Sequence, residues 1–281
     1  MKDLVVLMSV YHKDKLDFLK KSVQSIIDQT FPYFDFYIVF DGPVSDEIEE
    51  FFSSLKDERI RLFRLKENRG LAKALNFLLE IVIRDSQYEF IARMDADDIS
   101  MPMRFEKQRS FLVSDPEVSC VGSWYQEIDD SGNILSNRRL PISHDKLRKL
   151  YFTRTPFAHP SVMYRRGLIE RAGFYPTDTI LMEDNVLWGK ALKAGLKFAN
   201  IPEYLFKFRI DKIFFNRRSG IKYGWNYIIT RNRINRILEP PLYLFFFSIL
   251  KGFVKMMPAF ILRYSYGIKK IVKVKLPSLL N

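Results

Sequence analysis

The 281-residue chain has a single cysteine, Cys120, and three histidines, His12, His144 and His159. One cysteine excludes a disulfide framework and a cysteine zinc cluster, and three scattered histidines are too few for a histidine-rich metal centre. The chain also lacks an apolar run free of charge and long enough, at about 20 residues, to span a bilayer. The opening MKDLVVLMSVYHKD has too short an apolar core for a signal peptide and carries Asp3 ahead of it, so it reads as a first strand and the chain as cytoplasmic. Acids almost vanish from the C-terminal quarter. Of the 45 Lys and Arg, 16 fall from Lys207 onward, where the acids are Asp211 and Glu239; the first 206 residues, with 29 basic and 31 acidic side chains, are near −2 and the rest near +14. A basic tail of this kind implies an anionic partner, a membrane surface or a nucleic acid. With 47% hydrophobic and 28% charged residues, a disordered or fibrous chain is excluded, and the length suits one large domain or a domain plus an appendage.

Apolar runs alternate with helical spacing. A continuous apolar run at Leu4 to Val10 predicts a strand buried on both faces, and Phe36 to Phe40, Ile60 to Leu65 and Tyr88 to Met94 read as the next three strands. Helical patterns fall between them at Leu16 to Gln29, Ser45 to Leu55 and Leu71 to about Ile83. This order predicts a mostly parallel sheet with right-handed crossovers, whose ligands bind beyond the carboxyl ends of its strands. Asp41, Asn68 to Gly70 and Asp95 to Asp98 all follow strand ends, so three polar loops are expected on one edge. Further on, Pro102 to Leu112 and His144 to Tyr151 read as helices, Val118 to Tyr125 and Ser161 to Tyr164 as strands. Asp129 to Asn133 reads as the turn of a hairpin running towards Asn137 to Leu140. Glu183 to Ala194 has helical spacing and stops at Gly195. Lys197 to Ile201 and Tyr204 to Phe208 resemble two strands paired around Pro202.

Three carboxylates within four residues, Asp95, Asp97 and Asp98, repel one another unless a cation sits among them, and an oxygen-only ligand set suits Mg²⁺ or Mn²⁺. Acidic surface turns are common, but this one directly follows a buried strand in a βα series. Glu183-Asp184, two acids opening a helix, serve either as caps and dipole partners or, facing a hydroxyl, as a general base.

Taken together, Ser9-Val10-Tyr11, Ile38-Val39-Phe40-Asp41-Gly42, Asn68-Arg69-Gly70-Leu71-Ala72, Met94-Asp95-Ala96-Asp97-Asp98, Phe157-Ala158-His159-Pro160-Ser161 and Glu183-Asp184-Asn185-Val186-Leu187-Trp188 resemble the motifs of family 2 glycosyltransferases, especially bacterial enzymes of O-antigen and capsule synthesis. The resemblance covers roughly the first 210 residues. It implies an α/β fold of the GT-A type, a Rossmann-like, mostly parallel sheet flanked by helices. Residues 1–212 would form the catalytic domain, with 1–98 as its nucleotide-binding half and 99–212 as its acceptor-binding half, and 213–281 a helical, basic and aromatic membrane-associating region. It further implies an inverting transfer from a nucleotide-diphosphate sugar, a UDP-sugar, to a lipid-linked glycan. By the same resemblance Val10 and Tyr11 sit beside the base, Asp41 hydrogen-bonds it, Arg69 lies near the nucleotide or its phosphates, and Asp95 is on the ribose side. Asp97, with Asp98, ligates the divalent metal, Mn²⁺ or Mg²⁺. Asp184 is the base, Glu183 positions the acceptor, and His159 either lines the acceptor pocket or caps a strand.

Many GT-A enzymes carry a late histidine on the metal; no histidine follows His159 here, and the corresponding stretch is Phe208-Arg209-Ile210-Asp211-Lys212. Either Asp211 replaces it or the metal keeps one strong protein ligand. Arg209, Arg217 and Arg218 either neutralise phosphate directly or, for the last two, belong to the solvated basic tail. Tyr223 to Leu238 reads as a helix. Leu242 to Leu262 is apolar and aromatic but interrupted by Lys251, Gly252, Lys255 and Pro258. Two lysines at about 2.5–3.5 kcal/mol each oppose insertion. Being four apart they share a helical face, which favours an in-plane segment on the inner face of the cell membrane, aided by Lys269, Lys270, Lys273 and Lys275. Two alternatives are a sugar nucleotidyltransferase, which would want a glycine-rich loop where Ser9 to Asp14 has none, and a non-catalytic membrane or nucleic-acid adaptor, which has no use for the acid cluster. No nucleic-acid partner is expected.

Overall fold

The computed structural model describes residues 2–211 and 213–264. Its first half is a parallel βα series: β1 (Leu4–Val10), α1 (Leu16–Ile27), β2 (Phe34–Phe40), α2 (Asp46–Ser54), β3 (Ile60–Arg64), α3 (Leu71–Arg84) and β4 (Phe90–Asp95). Then come β5 (Ile99–Ser100), α4 (Arg104–Ser114), the hairpin β6 (Val118–Ile128) and β7 (Ile134–Arg138), α5 (His144–Tyr151), β8 (Met163–Arg165), α6 (Arg166–Ala172), α7 (Glu183–Lys193) and β9 (Lys197–Arg209). Three further helices follow, α8 (Phe214–Arg217), α9 (Ile221–Leu238) and α10 (Tyr243–Met256).

One sheet runs in the order β3-β2-β1-β4-β8-β6-β9-β5, with β7 on β6. The four strands β3, β2, β1 and β4 are parallel, as are β6 and β9; β8 runs antiparallel between β4 and β6. Along β1 the alternation of a pleated strand sends Leu4, Val6, Met8 and Val10 to one layer and Val5 and Leu7 to the other. The first layer is closed by α1, α2 and α4 (Val23, Phe52 and Phe105), the second by α3, α7 and α9 (Leu78, Trp188 and Ile234). A strand buried on both faces must be apolar throughout, which is why its sequence does not alternate. Burial of each such aliphatic side chain contributes about 1.5–3 kcal/mol.

One expectation is corrected. Lys197 to Ile201 and Tyr204 to Phe208 do not pair with each other; both belong to β9, a single strand of 13 residues that pairs in parallel with β6. The ladder slips between Ser123 and Trp124 of β6, where Ile201 and Tyr204 are the partners, so Pro202, which has no N–H to give, falls in the slip and not at a turn.

The C-terminal helices pack onto the domain. A Cβ on Gly224 of α9 would lie 2.7 Å from the carbonyl oxygen of Gly252 in α10, so glycine lets the two helices touch backbone to backbone. Ile234 of α9 is fully buried against the same core as Trp188 of α7. Among the described residues no helix is long and apolar enough to cross a membrane. Lys269, Lys270, Lys273 and Lys275 lie outside the described residues.

Candidate active site

At the carboxyl ends of β1, β2 and β4 the chain opens a cavity of about 680 Å³, lined by Tyr11, Asp41, Gly70, Asp95 and Asp97 and also by His159, Glu183 and Asp184. The three strand-end loops are bonded to one another. The Asp41 backbone amide donates to the Val10 carbonyl (2.7 Å), and the Asp41 carboxylate accepts the amides of Arg69 (2.7 Å) and Gly70 (2.8 Å). Gly42 follows at φ +85°, and a Cβ there would stand 2.5 Å from the Asn68 nitrogen, so the loops meet closely enough to demand glycine.

The acid cluster is built from below. Arg93 is fully buried and donates to the carbonyls of Leu7 (3.1 Å) and Met94 (2.7 Å) and to the carboxylate of Asp95. Asp98 is 1% exposed; one of its oxygens accepts the Arg209 amide at 2.7 Å, while the other, equally buried, has no hydrogen-bond partner. Carboxylate oxygens of Asp95, Asp97 and Asp98 can all lie within 4.8 Å of one another. Burial, then the neighbouring charge of Asp95, pushes Asp97 up to about 6, and burial followed by Asp97 and Asp95 raises Asp98 well above the carboxylate range. An orphaned buried carboxylate oxygen among like charges fits a hard divalent cation, Mg²⁺ or Mn²⁺.

In the same cavity, Glu183 and Asp184 form the first turn of α7, presented by Leu181 in the left-handed region at φ +55°. Trp188, fully buried against Phe157, His159 and Phe198, anchors that helix. Burial, then Asp184, pushes Glu183 up to about 7. Burial also raises Asp184, opposed by the hydrogen bonds from the Asn185 backbone amide and side chain and by the charge of Arg218. His159 Nε2 is 2.8 Å from the Tyr175 hydroxyl, and burial, then Arg93, holds the imidazole well below its ordinary pKa. A neutral imidazole next to a carboxylate pair suits a pocket for sugar hydroxyls, with no charge to contribute of its own.

Residues 5–173 match the glycosyl transferase family 2 profile. The chain belongs to that family. It is 34% identical over 233 residues to the amylovoran biosynthesis glycosyltransferase AmsE of Erwinia amylovora, covering 83% of this chain and 84% of that one. It is 32% identical over 274 residues, 95% and 96% of the two chains, to the Escherichia coli UDP-Gal:alpha-D-GlcNAc-diphosphoundecaprenol beta-1,3-galactosyltransferase. Its fold is shared with the mannosyltransferase PcManGT of Pyrobaculum calidifontis, solved with GDP-Man and Mn²⁺ (TM-score 0.64, 18% identity, 96% of this chain and 80% of that one). It is shared too with residues 1–349 of S. aureus TarS in complex with UDP-GlcNAc (TM-score 0.60, 16% identity, 85% and 70%). A longer TarS chain is spanned over 42% of its length.

In this glycosyltransferase the residues named from sequence are placed as follows. Tyr11, Asp41, Asp95, Asp97, His159, Glu183 and Asp184 line the one cavity. The Val10 side chain is turned into the core, so its backbone, not its side chain, takes part. Arg69 is exposed and stands off the lining, holding the site through its amide. Asp98 sits beneath the lining. Arg209 is 3% exposed and donates to the carbonyls of Asp97 (2.7 Å) and Asp129 (2.6 Å), so it braces the acidic loop. Asp211 pairs with Arg217 at 3.5 Å and is not one of the three clustered acids, although its charge acts on Asp97.

Two contributions escaped the sequence reading. Asp14, in the loop after β1, lines the cavity, accepts the Tyr11 amide at 2.9 Å, and is pushed up to about 8 by burial and by Asp97. Its signal was its position four residues past a strand that ends at the site. The other is the tail. Tyr223, Tyr227 and Arg231 of α9 and Lys251 and Lys255 of α10 line the same cavity, and Lys251 donates to the Thr153 carbonyl. The two lysines do share a helical face, but that face turns inward. The exposed face is apolar: Phe246 (71%), Leu250 (62%) and Phe253 (53%) of α10 with Trp225 and Ile229 of α9.

Proposed function

We propose that this chain is an inverting glycosyltransferase that moves a sugar from a nucleotide-diphosphate donor, a UDP-sugar, to a hydroxyl of a lipid-linked oligosaccharide in O-antigen or capsule synthesis. One observation carries the reading: Asp95 and Asp97 of the acid cluster and the Glu183–Asp184 pair, far apart in sequence, line a single cavity. The donor's diphosphate belongs at the acidic end, where Asp97 and Asp98 would hold Mn²⁺ or Mg²⁺, with Asp95 and Asp41 towards the nucleoside. When bound, that ion supplies neutralisation of the charge left on the departing diphosphate.

Asp184 takes the proton of the acceptor hydroxyl. The acceptor oxygen bonds to the anomeric carbon as the bond from that carbon to the phosphate oxygen breaks, and the nucleoside diphosphate leaves with the bonding pair. Glu183 and His159 hold the acceptor sugar, and Arg218 offsets the negative charge of the carboxylate pair. A single displacement of this kind inverts the anomeric centre. The relatives named above include one whose acceptor is a diphosphoundecaprenol-linked sugar, which supports a lipid-linked acceptor. The exposed apolar face of α9 and α10 supports peripheral attachment to the inner face of the cell membrane.

The test is transfer and donor hydrolysis across a panel of UDP-sugars with purified chain and Mn²⁺. Asp97→Ala and Asp184→Ala are each expected to abolish turnover; if both remain active, the mechanism is wrong. Neither a nucleotidyltransferase nor a non-catalytic adaptor accounts for a carboxylate pair that shares a cavity with Asp95 and Asp97.

A further inference from the structure

Arg231 is 2% exposed and lines the cavity. Its Nη2 donates to the carbonyls of Tyr151 and Phe152, both at 2.7 Å, while its buried Nη1 has no hydrogen-bond partner among the described residues. A buried guanidinium N–H without an acceptor is costly to leave unmade and is ready for an anion that arrives with a ligand. Lys251 is tied to the same stretch of chain through the Thr153 carbonyl. Arg154 comes next in that stretch, and Lys255 follows Lys251 by one helical turn; all line the cavity.

The remaining cations of the cavity act elsewhere. Arg217 acts on Asp14 and Asp97, at the acidic end, and Arg218 acts on Glu183 and Asp184. With Arg209 bracing the acidic loop, the basic residues of the lining that remain are Arg154, just after α5, Arg231 of α9, and Lys251 and Lys255 of α10. The helix that carries Lys251 and Lys255, α10, exposes the apolar side chains of Phe246, Leu250 and Phe253.

We propose that Arg154, Arg231, Lys251 and Lys255 form a second anion site, which binds the diphosphate of a prenyl-diphosphate-linked acceptor. The proposal rests on the lipid-linked acceptor of the previous section and adds the place where its charge docks. In such a molecule the sugar, the diphosphate and the hydrocarbon follow one another in that order. The residues take its parts in turn, the carboxylates the sugar, the four cations the diphosphate and the exposed apolar side chains of α10 the hydrocarbon. Arginine forks and lysine ammoniums are the side chains that recognise phosphate oxygens.

The probe is farnesyl diphosphate, titrated calorimetrically into the full chain in detergent with the donor site filled by UDP and Mn²⁺. Binding is expected, with farnesol showing little. The double variant Lys251→Gln/Lys255→Gln and the single Arg154→Gln are expected to weaken farnesyl diphosphate at least tenfold while UDP affinity stays within twofold. Both change side chains at least partly exposed, so melting curves should hold; Arg231→Lys supplies a buried but charge-conserving comparison. The proposal is overturned if farnesyl diphosphate competes with UDP, because the cations then serve the donor. It is overturned too if the double variant binds the probe as wild type does and loses only its sedimentation with phosphatidylglycerol vesicles, because the cations then meet lipid headgroups. If UDP fails to bind but lysine-dependent farnesyl diphosphate binding persists, this site stands and the donor assignment falls.

Discussion

The carboxylate of Asp41 holds the backbone amide of Gly70 at 2.8 Å, which ties the loop after β2 to the first turn of α3. Its second oxygen takes the Arg69 amide, so one side chain fixes two edges of the nucleotide end. Asp41→Ala is expected to strand both amides and to lower stability by about 1–3 kcal/mol. It should also weaken UDP binding at least tenfold, with Asp41→Asn in between. Chemical denaturation and calorimetry would check the two effects separately.

Donor binding and proton removal should separate by mutation. Asp184→Asn is expected to cut turnover by about 10²–10⁴-fold while UDP–Mn²⁺ affinity changes little. Asp97→Asn should instead weaken both metal and nucleotide. A variant pair that behaves identically in binding and turnover would argue against the division of labour.

The pH dependence follows from the carboxylate pair. Burial raises both acids, Glu183 to about 7, and a raised acid stays protonated to a higher pH. A protonated Asp184 cannot accept the hydroxyl proton, so kcat/KM for the acceptor should fall as pH drops, along a limb that lies above the ordinary aspartate range. The two groups titrate as a pair, so the limb belongs to both. In Glu183→Gln the remaining limb should still lie above the ordinary aspartate range. A flat profile between pH 5 and 8 would contradict this.

Asp14 gives a prediction about stability. Its native pKa, pushed to about 8, lies above the unfolded value of 3.8, so the folded chain holds a proton that the unfolded chain loses. Its contribution is fully present below about pH 4 and is lost as pH rises through 8. Asp14→Asn, which can still accept the Tyr11 amide, should therefore raise the melting temperature at pH 9 in chelator by several degrees and leave it unchanged at pH 4.

The outward face of α10 should govern attachment. Phe246→Asp with Leu250→Asp is expected to abolish sedimentation with anionic vesicles while UDP binding stays intact. Vesicle binding equal to wild type would remove the membrane reading.

The βα half was legible because β1, buried on both faces, is a nearly unbroken apolar run, and because each strand of the alternating series ended at a polar loop. That is why Asp41, Asp95 and Asp97 could be placed on one edge before any coordinates. β9 was misread because Pro202 looks like a turn, whereas an omitted N–H is harmless where a parallel ladder slips. Lys251 and Lys255 were correctly put on one face, but spacing along a helix cannot say which face meets the protein. Asp14 stands alone in the sequence, and only the folded chain brings it to Asp97 and to Arg217 of α8, far along the chain. Arg209 looked like a phosphate ligand, and only the carbonyls of Asp97 and Asp129 show it to be a brace.

Gly224 and Gly252 let α9 and α10 lock together as one slab against the cavity. Tyr223, Tyr227 and Arg231 of α9 and Lys251 and Lys255 of α10 thus wall the cavity as much as the loops of the sheet do. A hybrid carrying a relative's residues from 213 onward would keep its own nucleotide preference and inherit the other's taste in acceptors, so this slab is the natural cassette for redirecting glycan assembly.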